Sequence, residues 1–469
     1  MLERIARVLS VATLGVVALQ PVAHGQTLTE ALSAAYQNNP SLNAQRAKLR
    51  ATDEQVPQAL SGFRPTISAF TEVGPRWLDA NDESIVGRED RELFSRSVGG
   101  TLEQPVYRGG QTSAAVRGAE NLVRAERARL TSAEQEVLLR AATAYSDVFR
   151  DQAVLELTIR NEQRLGRQLE ATRDRFQVGE VTRTDVSQAE ARLARATAER
   201  IGAEGDLAAS RATFRNIVGT TPALLSQPPL PDGLPTSLAE ANGLATDWNP
   251  AVTTAEFEQR SALDSIDRVR GELLPEVSVI GRLERNVEAS RGGSRIDSAE
   301  VLVNLTVPLY QSGAVYSRLR EAKQTAAEQR RRLDQSQNDA VESATRAWNA
   351  VETAVAEIGS LSKQVEANRI ALEGVEREAE VGARTVLDVL DAQQELLDSQ
   401  VSLVRAERDH VVAAFQLKSA LGQLTARLLA LPVQYYDPEQ HYRQVRNAWV
   451  GGSSTGDVSG DFASSRRGQ

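Results

Sequence analysis

The chain contains no cysteine in 469 residues, so disulfides are excluded, as is a lipid anchor carried on an N-terminal cysteine. Aromatic residues make up 4% and hydrophobic residues 41% of the chain. That profile suits coiled-coil-like helices rich in Ala, Glu, Gln and Arg better than a packed α/β enzyme. Positive charge is outnumbered: 54 Lys and Arg against 63 Asp and Glu give a formal net charge of -9, and the only lysines are Lys48, Lys323, Lys363 and Lys418. A nucleic-acid partner normally requires a basic face to meet phosphates, so none is expected. Histidine is scarce; His410 and His441 have no metal-ligand spacing around them, and neither a metal nor a cofactor is expected. The segment "GSSTG" at Gly452 fits a nucleophile-elbow pattern, but no strand precedes it and no helix follows. No catalytic residue is assigned, and the chain reads as a non-enzyme. Beyond residue 25, no stretch approaches the ~18 continuous apolar residues of a membrane helix.

The first 25 residues read as an export signal. Arg4 and Arg7 open it, "VLSVATLGVVAL" forms a short apolar run, and Ala23-His24-Gly25 supplies a cleavage site. After it the chain is a duplication. "LTEALSAAYQNNPSL" at Leu28 returns as "LAEANGLATDWNPAV" at Leu238, with Asn39/Asn249 and Pro40/Pro250 in register 210 apart. "QPVYRGG" then matches "VPLYQSG", and "VGEVTRTDVSQAEARL" at Val178 matches "VGARTVLDVLDAQQEL" at Val381, both 203 apart. The seven-residue difference falls between Pro65 and Pro105, as expected of an exposed loop.

Between the prolines of each half the period changes to two. "VLVNLTV" places Val301, Val303, Leu305 and Val307 on one side; "EVSVIGRLER" places Val277, Val279 and Leu283 likewise. "PTISAFTEV" and "SVGGTLEQPV" show the same alternation more faintly. Two strands per half are expected, each of about 9–11 residues, the length of a tilted bilayer-crossing strand. The alternative is a soluble hairpin with one wet face. Pro65, Pro105, Pro275 and Pro308 are expected where strand becomes helix, with Tyr107 and Tyr310 either at a membrane interface or packed at the junction.

The rest reads as helix. Proline-free runs from Gly110 to Gln177 and from Gly313 to Glu380 predict helices about 100 Å long, each returning from a glycine turn through a helix of about half that length. Leu28–Leu60 and Leu238–Gly271 are expected to stack on the returning helices and complete a second column. Val389-Leu390, Leu396-Leu397, Leu403-Val404 and Val411 recur every seven residues, which marks a left-handed supercoil seam. Four strands cannot close on themselves, and an open edge in lipid leaves backbone groups unpaired at several kcal/mol each. If these strands cross a membrane the chain must therefore assemble, although closure alone permits either eight or twelve strands.

The NNP motif at Asn38, "PVYRGG", "RFQVGEVTRTDV" and "VGARTVLDVLDA" resemble the TolC-like outer-membrane channel-tunnels over Leu28–Leu424. The resemblance implies a mainly α fold with a transmembrane β portion: a homotrimeric 12-stranded β-barrel continuous with a 12-helix periplasmic α-barrel, two structural repeats per chain. The divisions are then a signal peptide at 1–25, a first repeat at 26–219, an equatorial linker at 220–237, a second repeat at 238–424, an equatorial C-terminal segment at 425–450 and a disordered tail at 451–469. Implied partners are outer-membrane lipid, a periplasmic adaptor and an inner-membrane ABC or RND-type transporter. The implied function is the exit duct of a tripartite export system, with type I protein secretion ahead of multidrug efflux because no lipid-anchor cysteine is present. An exported coiled-coil or adhesion protein is the rival class; it would not explain the duplicated strand pairs.

By the same resemblance the tips of the hairpins, Val178, Gly179, Glu180, Val181, Val381, Gly382 and Ala383, turn the chain and meet the adaptor. Asp388 and Asp391 match carboxylates that ring the periplasmic entrance, which implies a cation-selective mouth that multivalent ions can plug. Without the family, Asp388 reads as a helix N-terminal acid and Asp391 as a solvated side chain. Arg384 matches an arginine that ties the inner hairpin to its neighbour, with Thr184 and Asp185 as receivers. Ala379 departs from the family, where an aromatic hydroxyl often completes a second link.

Overall fold

The computed structural model describes residues 26–80, 89–289 and 293–452. The expected signal peptide at 1–25 and most of the expected tail lie outside the described residues, as does part of each strand-to-strand loop.

The chain runs as two like-ordered halves. The first comprises helices α1 (Leu28–Asn38), α2 (Pro40–Asp53) and α3 (Gln55–Leu60), strands β1 (Thr66–Ala80) and β2 (Glu89–Arg108), and helices α4 (Gln111–Gln177) and α5 (Arg183–Val218). The second comprises α6 (Leu238–Trp248), α7 (Pro250–Gly271), β3 (Glu276–Val287), β4 (Arg295–Thr306), α8 (Ala314–Glu380) and α9 (Val386–Ala420), followed by the short α10 (Gln440–Val445). Both long helices have 67 residues, as the proline-free runs require.

The stacking of short helices is subtler than the expectation of continuous segments at 28–60 and 238–271. Each segment breaks at its Asn-Pro pair, because proline cannot continue a helix from the preceding residue but is well suited to begin one. Asn39 caps α2, its Oδ1 accepting from Ser41 N and Leu42 N, while its Nδ2 donates 3.0 Å to the carbonyl of Ile217 near the end of α5. Asn249 repeats the arrangement, capping α7 through Ala251 N and donating 3.1 Å to the carbonyl of Ala420 at the end of α9. One side chain thus starts the upper helix and satisfies an orphan carbonyl of the lower one. The columns are α2–α3 on α5 and α7 on α9, with α1 and α6 set beside them. Around the wall, α4 lies between the two columns and α8 lies beyond α7 and α9.

The strands form one antiparallel sheet in the order β1-β2-β3-β4. Register puts Ile67 against Leu102, Leu102 against Gly281, Val279 against Val303 and Val277 against Leu305, so one face carries the apolar set across all four strands. That face is bare: Ile67, Leu283, Val301 and Val303 are exposed, Val301 at 78%. The other face carries Ser278 opposite Asn304 and the ion pair Arg282–Glu300. The strands have 15, 20, 12 and 12 residues, longer than the 9–11 expected. They continue past the apolar stretch, where backbone pairing needs no side-chain alternation. Pro105 is likewise not at a strand-to-helix boundary but inside β2, where the register shifts between Pro105 and Tyr107. A bulge is a place where a missing N–H costs little. Pro65 and Pro275 directly precede β1 and β3, and Pro308 follows β4, as expected.

Mid-height, a core gathers the first described helix and the segment after α9: Leu28, Leu32 and Tyr36 pack with Leu138, Tyr145, Phe214, Leu225, Leu424 and Leu431. The Tyr145 hydroxyl lies 2.6 Å from the Gln26 carbonyl and 2.7 Å from that of Ser226. Tyr36 Oη accepts from Tyr436 N at 3.0 Å. The flanks of the chain are less complete. α8, as long as α4, buries far fewer side chains, and every residue of β4 is exposed. Among the described residues β1 and β4 have no partner on their outer edges. No described helix is long and apolar enough to cross a membrane.

Candidate functional site

The hairpin tips are built twice from the same backbone logic. α4 ends at Gln177, and Gly179 takes φ +84°, a left-handed value that a side chain disfavours. Glu180 N donates 2.9 Å to Arg175 O and Gly179 N 3.0 Å to Phe176 O, which satisfies two terminal carbonyls. At the second tip Gly382 takes φ +77°, Ala383 N reaches Glu378 O at 2.9 Å and Gly382 N reaches Ala379 O at 3.1 Å. Each returning helix then opens on a reciprocal cap. Asp185 N donates to Thr182 Oγ1 while Thr182 N donates 2.8 Å to Asp185 Oδ2; Thr385 and Asp388 repeat the exchange, the latter bond at 2.9 Å. The turns leave Val178 and Val381 out in solvent, 72% and 80% exposed, flanked by exposed Glu180 and Ala383 and half-buried Val181.

Asp388 and Asp391, the acids expected at the entrance, have different surroundings. Asp388 closes its own helix, and the hydrogen bonds from Thr385 N and Oγ1, with Arg384 nearby, hold its carboxyl below the usual carboxylate range. The helix-terminal reading of this residue therefore describes its contacts within the chain. Asp391, one turn on along α9, is not simply solvated: it pairs with Arg192 of α5, on the other hairpin. Arg384 donates 2.8 Å from Nε to Glu378 Oε2, inside its own hairpin. Within one chain it makes no bond to Thr184, which faces solvent, or to Asp185, which is engaged by Thr182.

Arg192 and Glu378 escaped the sequence reading. Subtracting the halves reveals both: Gln188 and Arg192 of the first copy stand where the second has Asp391 and Glu395, while Val181 and Arg175 stand where it has Arg384 and Glu378. Asp391 and Glu378 each meet a base that the matching position of the other copy lacks.

A four-stranded sheet with one apolar face, set on a wall of helices that reach about 100 Å from it, defines an outer-membrane channel with a long tunnel. The profile of the outer membrane efflux protein family matches residues 31–220 and 243–423. The outer membrane efflux protein BepC of Brucella suis is 34% identical over 93% of this chain and 94% of its own length. The alkaline protease secretion protein AprF of Pseudomonas aeruginosa is 23% identical over 83% of each chain. Among solved structures, the outer membrane protein VceC of Vibrio cholerae superposes with a TM-score of 0.73 at 20% identity, over 84% of this chain and 96% of that one. The chain belongs to the outer membrane efflux protein family, the TolC-like channel-tunnels. It is an outer-membrane efflux or secretion channel with a long periplasmic tunnel, of a family of ducts rather than enzymes.

Proposed function

We propose that three copies of this chain form one duct, a 12-stranded barrel in lipid continuous with a 12-helix tunnel. It receives cargo from an inner-membrane transporter of ABC or RND type through a periplasmic adaptor. The observation that carries this reading is the pair of unpartnered edges, β1 and β4, on a sheet whose apolar face is bare. In lipid those edges must be paired, and other copies of the chain present the matching ones. The less buried flank of α8 fits the same closure.

The tip residues Val178, Gly179, Glu180, Val181, Val381, Gly382 and Ala383 contact the adaptor, with the two exposed valines as apolar anchors. Asp388 and Asp391 supply the acid of the entrance, and Arg384 with Thr184 and Asp185 of a neighbouring copy is the proposed link between chains. For cargo we assign protein delivered by the type I route, supported by the likeness to a protein named for alkaline protease secretion over 83% of the chain. Drug efflux is the second reading, favoured by the 34% identity to a protein named for efflux. A deletion strain scored for both secreted proteins and drug sensitivity, with adaptor pull-down, separates them. Lost secretion with unchanged drug tolerance supports the type I route; the reverse selects efflux. Monomeric migration before heating, with no outer-membrane fractionation, refutes the duct.

A further inference from the structure

We propose that Arg192 is the counter-charge of Asp391, and that this pair is the latch holding the two hairpins of each chain together near the entrance. The inference rests on the channel reading for its effect on conduction, and on the chain's own geometry for the pairing. Three observations carry it. The ion pair spans residues 199 apart in sequence and joins α5 to α9, the returning helices of different hairpins. It sits beside an apolar clasp of three helices: Leu390, adjacent to Asp391, packs with Leu165 of α4 and with Leu193 and Ala196 of α5, the former adjacent to Arg192. The clasp fixes the two backbones at this height, so the charged ends meet with little ordering left to do. The duplication supplies the third. The neighbouring pair Arg173–Glu190 stays inside the first hairpin, and its counterpart is Glu376–Gln393 inside the second; Asp391 and Arg192 instead complement each other between hairpins.

Two consequences follow. Separating the hairpins of one chain must break this pair, whereas breaking Arg384–Glu378 only loosens a turn within one hairpin. The Asp391 carboxylate also carries less free charge than the bare sequence implies, so Arg192 sets how strongly the mouth favours cations. An exposed pair is a weak link, worth about a twofold to fivefold shift in the closed-to-open balance per chain.

Planar-bilayer recording of the purified full-length channel tests this. R192Q and D391N should each raise the open fraction, by at least about twofold, and the double variant should exceed neither. Their selectivities should move in opposite directions: R192Q toward cations and stronger multivalent block, D391N away from both. The reversed pair R192D/D391R should restore the parent's closure. Additive opening, or selectivity unchanged in R192Q, overturns the proposal. Because the chain has no cysteine, R192C/D391C with a short bismaleimide reads the geometry independently of conduction. A cross-link within one chain supports the pairing, and a link between chains or none refutes it. Silence of the parent and of every variant refutes the duct reading, while the cross-link still decides the pairing.

Discussion

Replacing Asn39 tests the junction on which each two-helix column depends. The side chain is 8% exposed, caps α2 through Ser41 and Leu42, and donates to the Ile217 carbonyl. Alanine removes a cap worth about 1 kcal/mol and strands a carbonyl in the core at about 1–2 kcal/mol. The expected loss of about 2–3 kcal/mol corresponds to local opening roughly 30- to 150-fold more frequent. Hydrogen exchange of purified protein in detergent, followed on peptides spanning 36–44 and 213–220, reads it directly. Asn39→Asp separates the two roles. The carboxylate keeps the acceptor for the α2 amides and suits a helix N-terminus, but it sets an oxygen against the Ile217 carbonyl. The α2 amides should therefore stay protected while the end of α5 opens. Asn249→Ala should cost about half as much, because that asparagine is less buried and takes one cap bond. If Asn39→Asp leaves the α5 peptide unchanged, the side chain is not a splice between helices and the reasoning is refuted.

Three further outcomes are expected. Gly382→Ala should destabilise the second tip by about 1 kcal/mol, since nothing crowds its Cα and the φ of +77° alone opposes a side chain; faster proteolysis at residues 378–386 reports it. The Asp388 carboxyl is depressed in the folded chain, so its contribution to the α9 cap is present above the unfolded carboxylate range near pH 4. It is lost as pH falls through the lower folded value. Exchange of the first-turn α9 amides should accelerate at pH 3 relative to pH 7 in the parent but not in D388N, once each is corrected for intrinsic rate. Val178→Asp with Val381→Asp should cut adaptor capture by at least about tenfold, the loss of roughly one apolar anchor, while oligomer migration and membrane fractionation stay the same; retained capture places the adaptor contact elsewhere.

The helical wall was legible because its signals are local. Missing proline marked the length of α4 and α8, glycine marked their ends, and the alternation of Val301, Val303 and Leu305 located the apolar face of β4. Strand length was less legible, since pairing outlasts alternation: β2 runs through Pro105 to Arg108 on backbone bonds. The Asn-Pro pairs were visible as repeats, but their meaning depends on Ile217 and Ala420, carbonyls 178 and 171 residues away. The same limit hid Arg192. A charge on one hairpin acquires its role from lateral register with another, which no local pattern states. Asp388 was read in two alternative ways, as a helix-terminal acid and as an entrance acid; the cap is what its contacts within one chain display.

The mid-height core has a bearing on biogenesis. Beside side chains of α4, α5 and α9, its apolar contents come from the first described helix, from the link between the halves and from Leu424 and Leu431 after α9, so the residues that complete it leave the ribosome long after Leu28. Until they arrive, Leu28, Leu32 and Tyr36 have no finished pocket, and the strand-bearing halves cannot be locked in mutual orientation. A polypeptide truncated during synthesis would therefore present an unsealed waist to periplasmic proteases and be removed before it could leave a leak in the envelope.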